Sequence, residues 1–221
     1  MRLHHQTKKA MALILVPFSF LLIGYGLIYE LAKPTLRPLY SIYSLIASKY
    51  DPSFNDGGSN LYDGKGGNSD VILNLKDVKS PNYGDKYGVV SIESIGLNVD
   101  LYYGDSEDIL IRGAGQFQGS FMPGFNRTIM VAGHTIPYFK RFGELQVNDE
   151  IIITTHYGKF KYKITELKVG KFNDSSLYDL EQKIKEQLIL YTCYPLDGIG
   201  FKQERFFVYA DKVAGPTIRG E

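Results

Sequence analysis

Twenty consecutive residues, Ala10–Tyr29, carry no charged side chain, and no other feature limits what this chain can fold into as strongly. A helix needs about 20 apolar residues to cross the hydrocarbon core of a bilayer. Pro17, Gly24 and Gly26 are tolerable in such a helix. A core helix of a soluble domain would show a polar face, and this run has none. A cleaved signal peptide is the rival reading. Its apolar core spans only ~7–15 residues, and the exit Glu30-Leu31-Ala32-Lys33-Pro34 lacks a small-x-small cleavage site. Arg2, Lys8 and Lys9 precede the run and Glu30 follows it. A positive flank stays on the cytoplasmic side. The expectation is therefore a cytoplasmic basic flank at 1–9, one transmembrane helix at 10–32, and the remainder outside the cell.

Beyond the anchor, Leu39, Ile42, Leu45 and Ile46 fall at helical spacing within a mixed stretch from Lys33 to Lys49, which predicts a short amphipathic helix. Asp51 to Asp70 is rich in Gly, Asn, Asp and Ser and has too few apolar residues to build a core. It reads as a flexible tether, so residues 33–82 form an extracellular linker and 83–221 a folded domain.

That domain reads as mostly β. Val89–Ile92 and Val99–Tyr103 flank a tight turn at Gly96, and Ile129–Ala132 is a short apolar run between turn signals. Lys159 to Ile164 alternates Lys, Phe, Lys, Tyr, Lys, Ile, the pattern of a half-buried strand. Glu150–Thr155 precedes it across His156-Tyr157-Gly158, which predicts a hairpin. Leu177, Leu180, Ile184 and Leu188 follow Ser175-Ser176 at helical spacing, so one short helix with a Ser N-cap is expected there. Leu188–Cys193 and Phe206–Val213 supply the last two strands. Many short strands separated by turns fit a sandwich or a closed barrel, and periodicity does not choose between them.

The chain has 221 residues and a formal net charge of +1, with no block of like charge and no aromatic-basic motif, so nucleic acid is not a partner. There is one cysteine, Cys193, which excludes an intramolecular disulfide. Such a thiol is either a small buried hydrophobe or a group kept for chemistry. Of the four histidines, His4 and His5 lie in the basic flank and His156 at a hairpin tip. His134 directly follows an apolar strand and a glycine, where sites are often built. Arg205 opens the final strand, and an antiparallel pairing would bring it near Cys193. No zinc spacing and no phosphate-binding loop occurs. Asp105, Glu107 and Asp108 form an acidic loop cluster that reads as a solvated turn and gives no clear calcium site.

Met122-Pro123-Gly124-Phe125, Val131-Ala132-Gly133-His134-Thr135, Thr192-Cys193 and Arg205 together resemble, in this order, the sortase family of membrane-anchored cysteine transpeptidases from Gram-positive bacteria. The resemblance spans Tyr87 to Val213. Leu190-Tyr191-Thr192-Cys193-Tyr194-Pro195 looks most like class D. The resemblance implies an eight-stranded β-barrel with short helices and a catalytic domain at 83–221. It implies Cys193 as nucleophile, His134 as general acid/base and Arg205 as oxyanion or substrate stabiliser. It further implies cleavage of an LPxTG-like sorting signal after Thr and transfer to a peptidoglycan precursor amine; with no clear metal site in the sequence, no cofactor is expected. Some sortases use calcium. An L,D-transpeptidase would carry Gly where Thr192 stands. A non-enzymatic, membrane-tethered β-domain with an inert Cys193 is the remaining alternative.

Overall fold

The computed structural model describes residues 11, 13, 15–31, 71–178, 180, 185–197 and 202–219. The basic flank, the amphipathic stretch at 33–49 and the tether at 51–70 lie outside the described residues, as does Ile184. The chain divides into two units, Met1–Tyr40 and Ser41–Glu221.

In the first unit, residues 15–31 form helix α1, with every side chain from Leu15 to Leu31 exposed except at Gly24. Among the described residues no helix is long and apolar enough to cross a membrane. The uncharged run begins at Ala10, and residues 10, 12 and 14 lie outside the described ones.

The second unit is built from strands β1 (Ile72–Asn74), β2 (Lys86–Ile92), β3 (Leu97–Tyr103), β4 (Ala114–Gln116), β5 (Thr128–Ala132), β6 (Glu150–Thr155), β7 (Gly158–Lys171), β8 (Gln187–Tyr194), β9 (Glu204–Ala214) and β10 (Thr217–Arg219). Eight of them close into a barrel in the order β2-β3-β4-β5-β8-β9-β7-β6. Closure removes free sheet edges, which resolves the choice between sandwich and barrel. β1 pairs in parallel with β10. β1 therefore lies within the stretch 33–82 that the sequence assigns to the linker.

The predicted turns are local and occur where expected. Gly96 ends a short helical turn at φ 62°, a left-handed conformation that costs glycine little. Thr155 pairs with Gly158 across His156-Tyr157. In β7, Phe160, Tyr162 and Ile164 are buried while Lys159 and Lys163 are exposed, as the alternation requires. Each such buried side chain contributes ~1.5–3 kcal/mol relative to exposure. They join Leu101, Ile129, Val131, Ile151, Ile153, Leu188, Leu190 and Val208 in the barrel core.

Of the helix predicted before the cysteine strand, residues 179 and 181–184 lie outside the described residues. Ser175–Leu177 makes one 3-10 turn, capped by Asp174, whose side chain accepts from the Ser176 N–H. The cap is Asp174 rather than a serine. Leu188 belongs to β8 and points into the core. Its four-residue spacing from Ile184 imitates a helix, but the ladder with β5 and β9 claims it. The acidic cluster is also not all loop, since Glu107 and Asp108 begin a short helix, α2 (Glu107–Leu110).

Candidate active site

β5 and β8 run in parallel, with Ala132 opposite Tyr191. Both strands end at one rim of the barrel, β5 leading into His134 and β8 into Cys193. β8 and β9 are antiparallel, and their register sets Cys193 directly opposite Arg205. Directly opposed residues project from the same face of a sheet. Leu188 and Leu190 point into the barrel, so Cys193, four residues after Ile189 and two after Tyr191 and therefore in phase with them, lies on the outer face. On its other side, Arg205 faces Gly170 of β7. A Cβ on Gly170 would stand 2.4 Å from Leu177, so glycine lets Leu177 lie close beside this row.

The Arg205 guanidinium donates to the Lys202 carbonyl at 2.6 Å and to the Glu204 carbonyl at 2.9 Å. Its central carbon lies 5.5 Å from the centroid of the Phe172 ring, within cation–π range. Cys193 is a free, half-buried thiol. An aromatic layer of Tyr178, Tyr191 and Phe207 floors the outer face next to it. Burial pushes the Tyr191 phenol up, the negative charge of Asp105 adds to that, and the positive charge of Arg205 opposes it. Both charges therefore reach the residue two before Cys193. Burial also holds the Asp105 carboxyl above its ordinary range.

His134 begins the irregular helical turn Thr135–Phe139 and is extended at φ −63°, ψ 141°. Its carbonyl accepts from the Phe139 N–H at 3.1 Å. Its Nε2 lies 3.8 Å from Oε1 of Glu107, a contact that sequence reasoning missed because the two residues lie on different elements. The residues on both sides of His134 are bonded to β8. The Gly133 N–H donates to the Tyr191 carbonyl at 3.2 Å, and the Thr135 hydroxyl donates to the Cys193 carbonyl at 3.0 Å. Gly133 has its own requirement, since a Cβ there would stand 2.4 Å from the Phe139 ring.

The three singled-out residues thus meet at one rim, Cys193 and Arg205 through strand register and His134 through its bonded neighbours. His156 is exposed at its hairpin tip, with Nε2 3.1 Å from the Lys79 carbonyl. Among the described residues no group of three or more His, Cys, Asp or Glu side chains is arranged to hold a metal ion.

The Met122–Phe125 segment lies elsewhere. It precedes β5, so it sits at the barrel end opposite His134 and Cys193. There Glu186, 2 % exposed, accepts from the N–H groups of Gly124 and Asn126 at 3.0 Å and from the Tyr162 hydroxyl at 2.6 Å. The Lys212 ammonium is 3.5 Å away. Burial lowers the Lys212 pKa, and Glu186 opposes that shift. Nothing in the local sequence marks Glu186, because all four partners are distant along the chain.

Residues 90–213 match the family model of the sortase domain, and the chain belongs to the sortase family of cysteine transpeptidases. It is 28% identical over 206 residues to Sortase D of Bacillus subtilis (strain 168), covering 93% of this chain and 99% of that protein. Its structure is similar to that of a Clostridium perfringens Sortase D5 transpeptidase, with 30% identity, a TM-score of 0.54 and coverage of 61% of this chain and 83% of the other. It is also similar to Clostridium perfringens sortase C solved with the C-terminal cell wall sorting motif, at 27% identity, a TM-score of 0.54 and coverage of 60% and 72%. Family membership removes the non-enzymatic β-domain and the L,D-transpeptidase as readings.

Proposed function

We propose that this chain is a membrane-anchored, class D-like sortase that cleaves an LPxTG-like signal after Thr and joins the protein to an amine of a cell-wall precursor. The observation that carries this reading is the register of Cys193 against Arg205, with both neighbours of His134 bonded to the Cys193 strand. The Cys193 thiolate attacks the Thr carbonyl carbon, and the resulting oxyanion draws on the Arg205 guanidinium, a fixed and permanently charged donor. The C–N bond breaks as His134 gives its proton to the leaving amine, and a thioester remains. The acceptor amine then attacks the thioester, loses a proton to His134 and expels the Cys193 sulfur. Dividing the reaction in two lets an amine compete with water. The proposed chemistry draws on side chains alone and asks for no cofactor; calcium has no evident role in it.

The anchor is part of the same proposal. Twenty uncharged residues behind a basic flank favour a spanning segment with its N-terminus in the cytoplasm. The side chains of Leu13, Phe20 and Tyr25 are at least 70% exposed, and such an apolar surface suits lipid better than water. The domain at 83–221 would then work outside a Gram-positive cell membrane, reached through the linker at 33–82. Protease added to intact protoplasts is expected to remove the region after Asp51. Survival of that region until the cells are lysed would reverse the orientation.

For the reaction, kinetics with an LPxTG-like peptide are expected to be ping-pong. Adding diaminopimelate or a glycine peptide is expected to divert product from free acid to amide. A burst of cleavage with no trapped thioester would favour a direct hydrolase. No amide with any amine tested would reduce the activity to that of a plain protease.

A further inference from the structure

The hydroxyl of Thr135 makes two contacts that the reaction scheme above does not use. It donates to the Cys193 carbonyl at 3.0 Å, and its Oγ1 lies 2.9 Å from Oγ1 of Thr192. The Thr192 hydroxyl in turn donates to the Gly133 carbonyl at 2.8 Å. Three oxygen–oxygen contacts are thus served by two hydroxyl protons. With the Thr192 proton committed to Gly133, the single Thr135 proton serves both the Cys193 carbonyl and the Thr192 oxygen. Thr135 and Thr192 are 6% and 2% exposed, so water does not replace a lost donor there. The four residues in this loop are the two neighbours of His134, the residue before Cys193, and Cys193 itself.

We propose that Thr135 is a positioning residue whose buried hydroxyl sets His134 in register with Cys193. The proposal rests on the assignment of Cys193 and His134 to the reaction, and it adds a residue that touches neither substrate nor the reacting atoms. The backbone between Gly133 and Thr135 has no freedom to slide along β8 while the Thr135 proton holds the Cys193 carbonyl and the Gly133 N–H holds the Tyr191 carbonyl. Removing the proton leaves a carbonyl and a hydroxyl oxygen facing a methyl group, and the strand end shifts to find other donors. A shift of about 1 Å between an acid/base group and its nucleophile costs on the order of 10²-fold in rate.

Valine is close to threonine in shape and lacks the hydroxyl, whereas serine keeps it. Thr135→Val and Thr135→Ser are therefore compared with wild type in two assays on the folded protein, with melting temperatures measured alongside. In the first, iodoacetamide alkylates Cys193 with no peptide present. Thr135→Val is expected to slow alkylation several-fold, and Thr135→Ser to recover most of the rate. In the second, peptide turnover by Thr135→Val is expected to lose on the order of 10²-fold in kcat with KM unchanged, again recovered by Thr135→Ser. Unchanged alkylation and kcat in Thr135→Val overturns the proposal. So does a loss that only tracks the unfolded fraction, or a folded Thr135→Ser that behaves like valine. Failure of the sortase reaction itself looks different. Wild type would then be alkylated at Cys193 yet form no thioester with any peptide, while the alkylation comparison still decides the role of Thr135.

Discussion

Cys193→Ala is expected to abolish both peptide cleavage and thioester formation. No second thiol exists in the chain to substitute for it. The barrel should survive, because Cys193 is half-buried at a rim and the ladder of β8 depends on backbone groups. His134→Ala removes the proposed proton donor for the leaving amine and is expected to lower turnover by about 10²–10⁴-fold. Arg205→Ala removes the proposed oxyanion donor, with an expected loss on the order of 10²–10³-fold in kcat. His156→Ala is the control. Its ring is exposed, edge-on to Tyr157 at 5.0 Å, and turnover should hardly change. Mass spectrometry after incubation with an LPxTG-like peptide reads the thioester directly. Full activity in His134→Ala would end its assignment as the acid/base.

Glu186→Ala is expected to have the largest effect on stability. The carboxylate gathers two backbone N–H groups, a tyrosine hydroxyl and an ammonium at the barrel end away from the reaction. Removing it leaves all four donors without this acceptor, and the largely buried Lys212 ammonium keeps the Pro216 carbonyl but loses its counter-charge. Breaking a buried charge pair from one side costs about 3–5 kcal/mol, a large part of the stability of a typical domain. Urea unfolding should show the midpoint fall with little change in slope. Glu186→Gln keeps one oxygen acceptor and should fall between wild type and alanine. Because the proposed reacting residues lie at the other end, folded protein of either variant should retain normal turnover per active site. Stability within ~0.5 kcal/mol of wild type in Glu186→Ala would mean that water takes over the four donors.

What the sequence revealed, and what it concealed, follows from the range of each interaction. The Thr155–Gly158 hairpin and the alternation from Lys159 to Ile164 are local, and both are legible from neighbouring residues. So is the nearness of Arg205 to Cys193, because two consecutive antiparallel strands leave little choice of partner. The parallel pairs β3–β4 and β5–β8 join segments with no common signal, and the three residues of β4 are too few to display a period. Leu188 fits the helix expected before β8 by its spacing, but its neighbours in space are strands. Met122–Phe125 was legible as a motif but not as a support for Glu186. Thr135 was legible as part of a string around His134, while its bond to the Cys193 carbonyl depends on the parallel alignment of two distant strands.

The small parallel pair of β1 and β10 bears on how this enzyme can be handled. The Thr217 N–H donates to the Val71 carbonyl, and the Ile218 N–H donates to the carbonyl of Gly124, at the Glu186 end of the barrel. The two strands at the ends of the described domain therefore lie side by side, with Ile72 and Arg219 separated by little more than the length of a three-residue strand. A purification handle or a surface-coupling linker grafted after Arg219, or in place of everything before Val71, departs from the side away from Cys193. Either end can be fixed to a bead or fused to a carrier with the Cys193 rim left open. Joining the two ends by a short loop and reopening the chain elsewhere would give a circular permutant that keeps every strand of the barrel.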